Sequence, residues 1–298
     1  MYLYADDTKI FRTIDNTEDC EDLQKDLLEM KKWTDKWLLS FHPDKSNYMQ
    51  IGKSDIGEGH YYLDKQIQKT SSEKDIGVMI DDKLHFSEHI SEKINKANRI
   101  AGMIRRTFIT LDEKMFKPLY TTLVRPHLEY ANQAWNPHLM KDIEAIENVQ
   151  RRATRLLPGM AGLSYEERLR KLDLPSLSYR GSRGDMIETF KILSGRYDSD
   201  CCEDVFRMRQ DSVTRGHSRK IYKPRSRLNL RKYSFPCRVV DNWNNLPESV
   251  VSSENVHIFE RRLDNFWKGE EQKFNYKAHM SITRCQHNPV NLEPQALL

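Results

Sequence analysis

The chain has 298 residues, with 48 Lys and Arg against 44 Asp and Glu, for a formal charge of +4. That length suits about two domains of ordinary core size, and a mean hydropathy of -0.77 without any apolar run near ~20 residues excludes a membrane-spanning helix. Five cysteines, Cys20, Cys201, Cys202, Cys237 and Cys285, form no CxxC pair, so neither a disulfide framework nor a zinc ribbon is supported. Met1 to Asp7 are too short and too quickly acidic for a signal peptide, so an intracellular protein of cytoplasm or nucleus is expected.

In chain order, Tyr2-Leu3-Tyr4-Ala5 and Thr8-Lys9-Ile10-Phe11 are short β-prone runs, and Asp6-Asp7 between them reads as the tip of a tight hairpin. Asp15 to Asp19 offer N-caps and an acidic first turn. Leu23, Leu27, Met30, Trp37 and Phe41 then recur at helical spacing, which predicts an amphipathic helix ending before Pro43. From Ser46 to Ile80 the period changes to that of strands, in Met49 and Ile51, Tyr61 and Leu63, and Ile76, Val78 and Ile80.

The helical period returns at Ser87, with Ile90, Ile94, Ala97, Ala101, Ile104 and Phe108 on one stripe. Further helices are expected over Met115 to Leu123 and around Ile143 to Leu156, giving a bundle up to Pro158-Gly159. Tyr179 to Ser194 reads as a helix with Gly195 as its stop, and Val256, Phe259, Leu263 and Phe266 form another apolar stripe. Between these lies a basic stretch from Arg207 to Arg238 in which Asp211 is the one acid. Beyond Trp267 periodicity is lost, and a tail without fixed structure is expected. The expected class is α+β, divided into 1–86, 87–158, 159–268 and a tail 269–298.

Adjacent carboxylates at a turn repel one another, and Asn-Gly or Asp-Gly would form the same turn at lower cost. A divalent cation such as Mg²⁺ offsets that repulsion through carboxylate oxygens, whereas a solvated surface turn is the plain alternative. The basic stretch invites a nucleic-acid reading, because Arg and Lys neutralise phosphates and Tyr222, Tyr233 and Phe235 could stack on unpaired bases. Its candidate contacts are Arg215, Arg219, Lys220, Lys223, Arg225, Arg227, Arg231 and Lys232, to which Arg99, Arg105 and Arg106 on the first bundle helix add a possible duplex track. A solvated charged surface is the alternative for both.

Tyr4-Ala5-Asp6-Asp7, flanked by Leu3 and by Thr8-Lys9-Ile10-Phe11, resembles the catalytic C motif of reverse transcriptases. Trp37-Leu38 followed by Phe41-His42-Pro43-Asp44-Lys45-Ser46 looks like the D motif of non-LTR (LINE-type, jockey/CR1-like) retrotransposon enzymes, and Asp75-Ile76-Gly77-Val78 with Leu84 and His89-Ile90 resembles their E motif. Leu123 to Pro126 with Leu128-Glu129-Tyr130 and Trp135, then Val149 to Ala153, are similar to the helical thumb-like region of the same elements. Trp243-Asn244, Leu246-Pro247 and Phe259 are similar to their downstream segment.

The resemblance implies a partial reverse-transcriptase palm of hairpin, helix and strands, then a mostly helical thumb-like bundle and a basic C-terminal region. It implies that Asp6 and Asp7 bind Mg²⁺ or Mn²⁺, and that Lys45 donates a proton to pyrophosphate. Tyr4 and Ala5 would lie at the primer terminus, and Ile76, Gly77 and Val78 would form a primer grip. The partners implied are an RNA template and a DNA primer, with no membrane. His42 stands where many relatives carry Asn. Two-metal transfer uses a third carboxylate that this family supplies upstream of the C motif, where only Met1, Tyr2 and Leu3 precede Tyr4. Asp15, Asp19, Asp81 and Asp82 read as cap and turn residues rather than that ligand. The expectation is therefore a C-terminal piece of such an enzyme, with weak metal binding and no polymerase activity by itself. The alternatives are a non-catalytic RNA- or DNA-binding protein derived from a retroelement, and a relic with no selected function.

Overall fold

A computed structural model of the chain describes residues 1–5, 7–42, 45–52, 59–108, 110–198, 205–209 and 216–280. The chain divides into two compact units at His89/Ile90. The fold is α+β, with short two-stranded sheets and many helices.

In the first unit β1 (Tyr2–Tyr4) and β2 (Asp7–Lys9) form a hairpin that leads to helix α1 (Thr17–Lys36). Asn16 starts this helix through a capping box. Its side chain accepts from Asp19 N at 3.0 Å while the Asp19 carboxylate accepts from Asn16 N at 3.1 Å. A third backbone donor, Asp15 N, holds the Asp19 carboxyl below its ordinary pKa, helped by Arg12. Arg12 reaches Asp22 at 2.7 Å and also neighbours Asp19 and Asp26, acids spaced to lie on one helix face, which ties the hairpin's exit to α1.

The helix stops at Lys36, seven residues before Pro43 and earlier than its apolar spacing predicts. Leu38 N bonds Asp35 O and Leu39 N bonds Thr34 O, a Schellman closure with Leu38 at φ 56 where glycine is usual. Trp37 is therefore a cap residue, exposed like Trp33, and Phe41 lies beyond the helix. The strands are also shorter than the alternation suggests. β3 (Asn47–Tyr48) pairs in parallel with β4 (Gln68–Lys69), Met49 to Ile51 lie outside any strand, and Tyr62 forms only a bridge to Gln66. A side chain completes that region: Gln24 of α1 donates to Tyr62 O and accepts from Tyr62 N, both at 2.8 Å, as a neighbouring strand would.

β5 (Ser72–Asp75) and β6 (Val78–Asp81) form the second hairpin. Its turn is Ile76-Gly77, at φ 43 and 81, the double positive φ of a type I′ turn. Ile76 is thus a turn residue rather than a member of an alternating strand. Asp81 closes the far end, accepting from Lys83 N, His85 N and Phe86 N at 3.1, 3.0 and 2.6 Å. That is the turn role expected of it.

The second unit begins within α2 (Ser87–Thr107), whose Ile90, Ala97 and Ile104 are buried. α3 (Glu113–Leu119), capped by Asp112, opens into a wider π turn over Tyr120–Val124 before α4 (Pro126–Glu129). Pro126 explains the widening: its ring would meet the Thr122 carbonyl in a regular helix, and the Arg125 N to Tyr120 O bond relieves this. α5 (Asn132–Trp135), α6 (Met140–Arg155), α7 (Tyr165–Leu172) and α8 (Leu177–Leu193) follow. Gly181 of α8 faces α5 so closely that a Cβ there would lie 3.1 Å from Asn132 Nδ2.

α9 (Asn229–Tyr233), α10 (Phe235–Asn244), α11 (Glu248–Val251) and α12 (Val256–Phe266) complete the unit. Their core is aromatic: Trp243 and Phe190 both stack on Phe259, at ring-centroid distances of 6.0 and 4.4 Å. The expected loss of structure beyond Trp267 does not hold for residues 268–280. Lys273 O accepts from Ser176 N at 2.8 Å, and buried Tyr276 donates to Glu144 at 3.0 Å and accepts from Arg151 at 2.9 Å. Few apolar residues suffice there because hydrogen bonds hold the segment, which periodicity does not register. Residues 281–298 lie outside the described residues.

Candidate functional site

The hairpin register is Tyr2↔Lys9, Leu3↔Thr8 and Tyr4↔Asp7. Asp7 is therefore the first residue of β2, paired with Tyr4, rather than part of the Asp6-Asp7 tip read from the sequence. Ala5 sits at φ 53, the left-handed region that costs an L-residue about 1–2 kcal/mol. Two contacts brace this geometry from outside the turn. Tyr2 stacks on Phe11 at 5.3 Å, and Lys9 is ion-paired with Asp75 of the second hairpin.

Tyr4 and Asp7 are exposed, and Asp7 makes no ion pair with any described residue. Its oxygens are thus open to a hard cation, and an adjacent second carboxylate would be a fitting donor for the same ion. Asp6 itself lies outside the described residues. Among the described residues no three of His, Cys, Asp and Glu gather as a metal-binding group.

Lys45 is exposed in the turn between α1 and β3, its N–H bonded to His42 O at 3.0 Å, and no described hydrogen bond or ion pair joins it to Asp7. Pro43 and Asp44 of the same motif lie outside the described residues. Of the three grip candidates, Ile76 and Gly77 form the turn, with Ile76 54% exposed, whereas Val78 is buried in the first unit. Asp75 beside them carries the pair to Lys9, so the two hairpins are joined by one ion pair.

The motif residues of the second unit hold the fold. Glu129 bridges Arg125 and Arg180, accepting from Arg180 Nη2 at 2.8 Å, and Trp135 Nε1 donates to Tyr130 O at 2.7 Å. Gln150 is fully buried and donates to Tyr165 O at the hydroxyl and to Pro175 O. Arg151 lies over the Tyr165 and Tyr276 rings at 5.1 and 5.5 Å. Nearby Glu147 is fully buried, where it accepts from Tyr165 and from Ser178 N, and burial still pushes its carboxyl above the ordinary pKa.

The basic stretch is divided in its roles. Arg238 forms a buried bidentate pair with Asp185 at 2.8 and 2.9 Å and also donates to Gln133 O at 3.0 Å, so it clamps α10 to α8 and α5. Lys223 is paired with Asp241. Tyr233 stacks on His138 at 4.4 Å with Lys232 over its ring, and half-buried Phe235 packs against Phe206, so neither aromatic is open for base stacking. Tyr222 remains exposed. Arg225, Arg227 and Arg231 are exposed, as are Arg99, Arg105 and Arg106 on α2, while Arg219 and Lys220 are half-buried; Arg215 lies outside the described residues. Arg207 and Arg209 were not singled out from the sequence as contacts, because their approach to Tyr222 comes from a bridge between Met208 and Ile221 that no local pattern announces.

Compared with curated proteins, the chain is 21% identical over 163 residues to a protein described as a probable RNA-directed DNA polymerase from transposon X-element of Drosophila melanogaster, covering 52% of this chain and 18% of that protein. The likeness is to a transposon polymerase, and it is weak and partial. An uncharacterised protein of Caenorhabditis elegans is 25% identical over 126 residues, covering 41% of this chain and 64% of that protein. The chain thus spans less than two thirds of the length of either relative. No family model matches, and no solved structure matches.

Proposed function

We propose that residues 1–86 are the C-terminal half of the palm of a non-LTR retrotransposon reverse transcriptase, which in its full form extends a DNA primer on an RNA template. The observation that carries this reading is the hairpin: its Tyr4↔Asp7 register presents the Asp7 carboxylate, without an ion pair to any described residue, beside an exposed tyrosine. The partial similarity to a transposon RNA-directed DNA polymerase supports it. Asp6 and Asp7 would hold Mg²⁺ or Mn²⁺, whose chemistry is to favour the deprotonated 3′ hydroxyl and to offset the charge of departing pyrophosphate. Tyr4 and Ala5 would position the primer terminus, Ile76 and Gly77 would touch the primer strand, and exposed Lys45 would supply a proton to the leaving group.

With only this carboxylate pair, a hexacoordinate ion keeps most of its water, so metal binding by the 298-residue chain is expected to be weak. Electron paramagnetic resonance of added Mn²⁺ checks this. Low-affinity binding that is lost in both Asp6→Asn and Asp7→Asn is the expected result. Sub-micromolar binding would contradict the incomplete ligand set, and binding unchanged in Asp6→Asn and Asp7→Asn would remove the site.

A further inference from the structure

The segment from Ile221 to Arg227 is fastened along one face of α10. Ile221 is buried and exchanges two hydrogen bonds with the Asn244 side chain, at 2.9 and 2.8 Å. Lys223 pairs with Asp241, and Ser226 Oγ lies 3.8 Å from Cys237 Sγ. Asn244, Asp241 and Cys237 are spaced three and four apart, a single stripe of the helix, so the segment runs antiparallel to it as a strap. Just before the strap, Arg219 O accepts from Trp243 Nε1 at 2.8 Å and His217 Nε2 is 3.0 Å from Trp243 O.

Anchored in this way, the strap leaves Tyr222, Arg225 and Arg227 exposed. Residues 207–209 join it as a second strand: Arg209 N bonds Lys220 O at 2.9 Å and Tyr222 N bonds Arg207 O at 2.7 Å. In the antiparallel register set by Met208 opposite Ile221, Arg207 and Arg209 share the face of Lys220 and Tyr222. The Arg207 guanidinium lies 5.6 Å from the centre of the Tyr222 ring. Arg207, Arg209, Arg225 and Arg227 are exposed and form no ion pair with any described residue, in a unit whose Arg180, Arg183 and Arg238 all have carboxylate partners.

We propose that this ribbon and strap bind a single strand of RNA or DNA, the four arginines along its phosphates and Tyr222 against a base. A cationic track alone would suit any polyanion. The exposed ring held among the cations favours unpaired bases, because stacking needs a base face that a duplex hides. The inference is independent of the polymerase reading, since none of these residues belongs to the hairpin site.

Fluorescence anisotropy of labelled poly-U, poly-dT and a DNA duplex, titrated with the full chain across a salt series, tests it. Changing Arg207, Arg209, Arg225 and Arg227 to Ala is expected to weaken single-strand binding at least tenfold at low salt. The slope of log affinity against log salt should fall by up to about 2.8, at about 0.7 per phosphate contact. Tyr222→Ala should cost about fivefold or more at every salt concentration, with Tyr222→Phe restoring it. Changing exposed Lys36, Lys65, Lys74 and Lys83 to Ala removes the same charge elsewhere and should leave the slope unchanged. Thermal unfolding of each variant, expected to match the wild type because the changed side chains are exposed, reports folding. A quadruple arginine variant that folds and binds as the wild type does would overturn the proposal. So would equal loss in the lysine variant, or duplex binding as tight as single-strand binding with Tyr222→Ala without effect.

Discussion

Ile76 holds a β-branched side chain at φ 43, a conformation that costs an L-residue about 1–2 kcal/mol and is paid by little burial, since the side chain is 54% exposed. With Gly77 following at φ 81, Ile76→Asn creates the Asn-Gly pair that a type I′ turn prefers. It is expected to stabilise the chain by about 1 kcal/mol, read as a higher urea midpoint with unchanged slope. A lower midpoint would mean that contacts of the isoleucine outweigh its backbone strain. The alternation of Ile76, Val78 and Ile80 concealed this turn because Asp75-Ile76-Gly77-Val78 carries one glycine where two left-handed residues are required. Val78 and Ile80 did fall in a strand. At the other hairpin the carboxylate pair was legible as a turn, but its register was not: aspartate is a common turn residue, yet the Tyr4↔Asp7 pairing places Asp7 in the strand and the strain on Ala5.

At the scale of elements, the strap depends on a neutral histidine. His217 is buried; its Nδ1 accepts from Arg219 N at 3.2 Å, so Nε2 carries the proton and donates to Trp243 O. Burial holds its pKa below the ordinary imidazole value of 6.5, against the pull of the Trp243 carbonyl and Glu248. Because the folded value is the lower one, the unfolded chain binds more protons between the two. The stabilisation is complete above the unfolded pKa and is lost as pH falls through the folded one. Thermal unfolding between pH 7.5 and 5 should therefore show a steeper acid loss in the wild type than in His217→Gln, about the imidazole midpoint of ~6.5. Identical pH profiles would show that His217 does not titrate with unfolding. Helices were the most legible elements, since α2, α6 and α12 each follow a 3.6-residue apolar stripe and Gly195 marks the end of α8. The strap was legible only as charge, because what fixes it is a set of side chains far along the chain, Asp241, Trp243 and Asn244.

Over the whole molecule, the residues that carried the resemblance differ in what the fold asks of them. Trp135, Gln150, Arg151, Trp243 and Phe259 build the second unit's interior, so their pattern follows from packing and hydrogen bonding within the fold. In the first unit Tyr4, Asp7, Lys45 and Ile76 are exposed while Val78 and His89 are buried, and in the second Leu123 and Tyr130 are exposed. The first unit also keeps few fully buried apolar residues, Tyr61, Ile67 and Val78, and its hairpins pair only within themselves among the described residues. Sheets of two strands are marginal by themselves, so this unit is expected to gain order from further strands.

Primer extension tests the polymerase reading most directly. The 298-residue chain is to be assayed with Mg²⁺, deoxynucleotides and a DNA primer annealed to an RNA template, by itself and joined to an upstream palm and fingers segment of a non-LTR reverse transcriptase. No extension by the chain alone, extension by the joined protein, and its loss in Asp6→Ala and Asp7→Ala are the expected results. Extension by the chain alone would contradict the need for a third carboxylate, and extension by the joined protein that survives Asp6→Ala and Asp7→Ala would contradict the catalytic assignment of the hairpin.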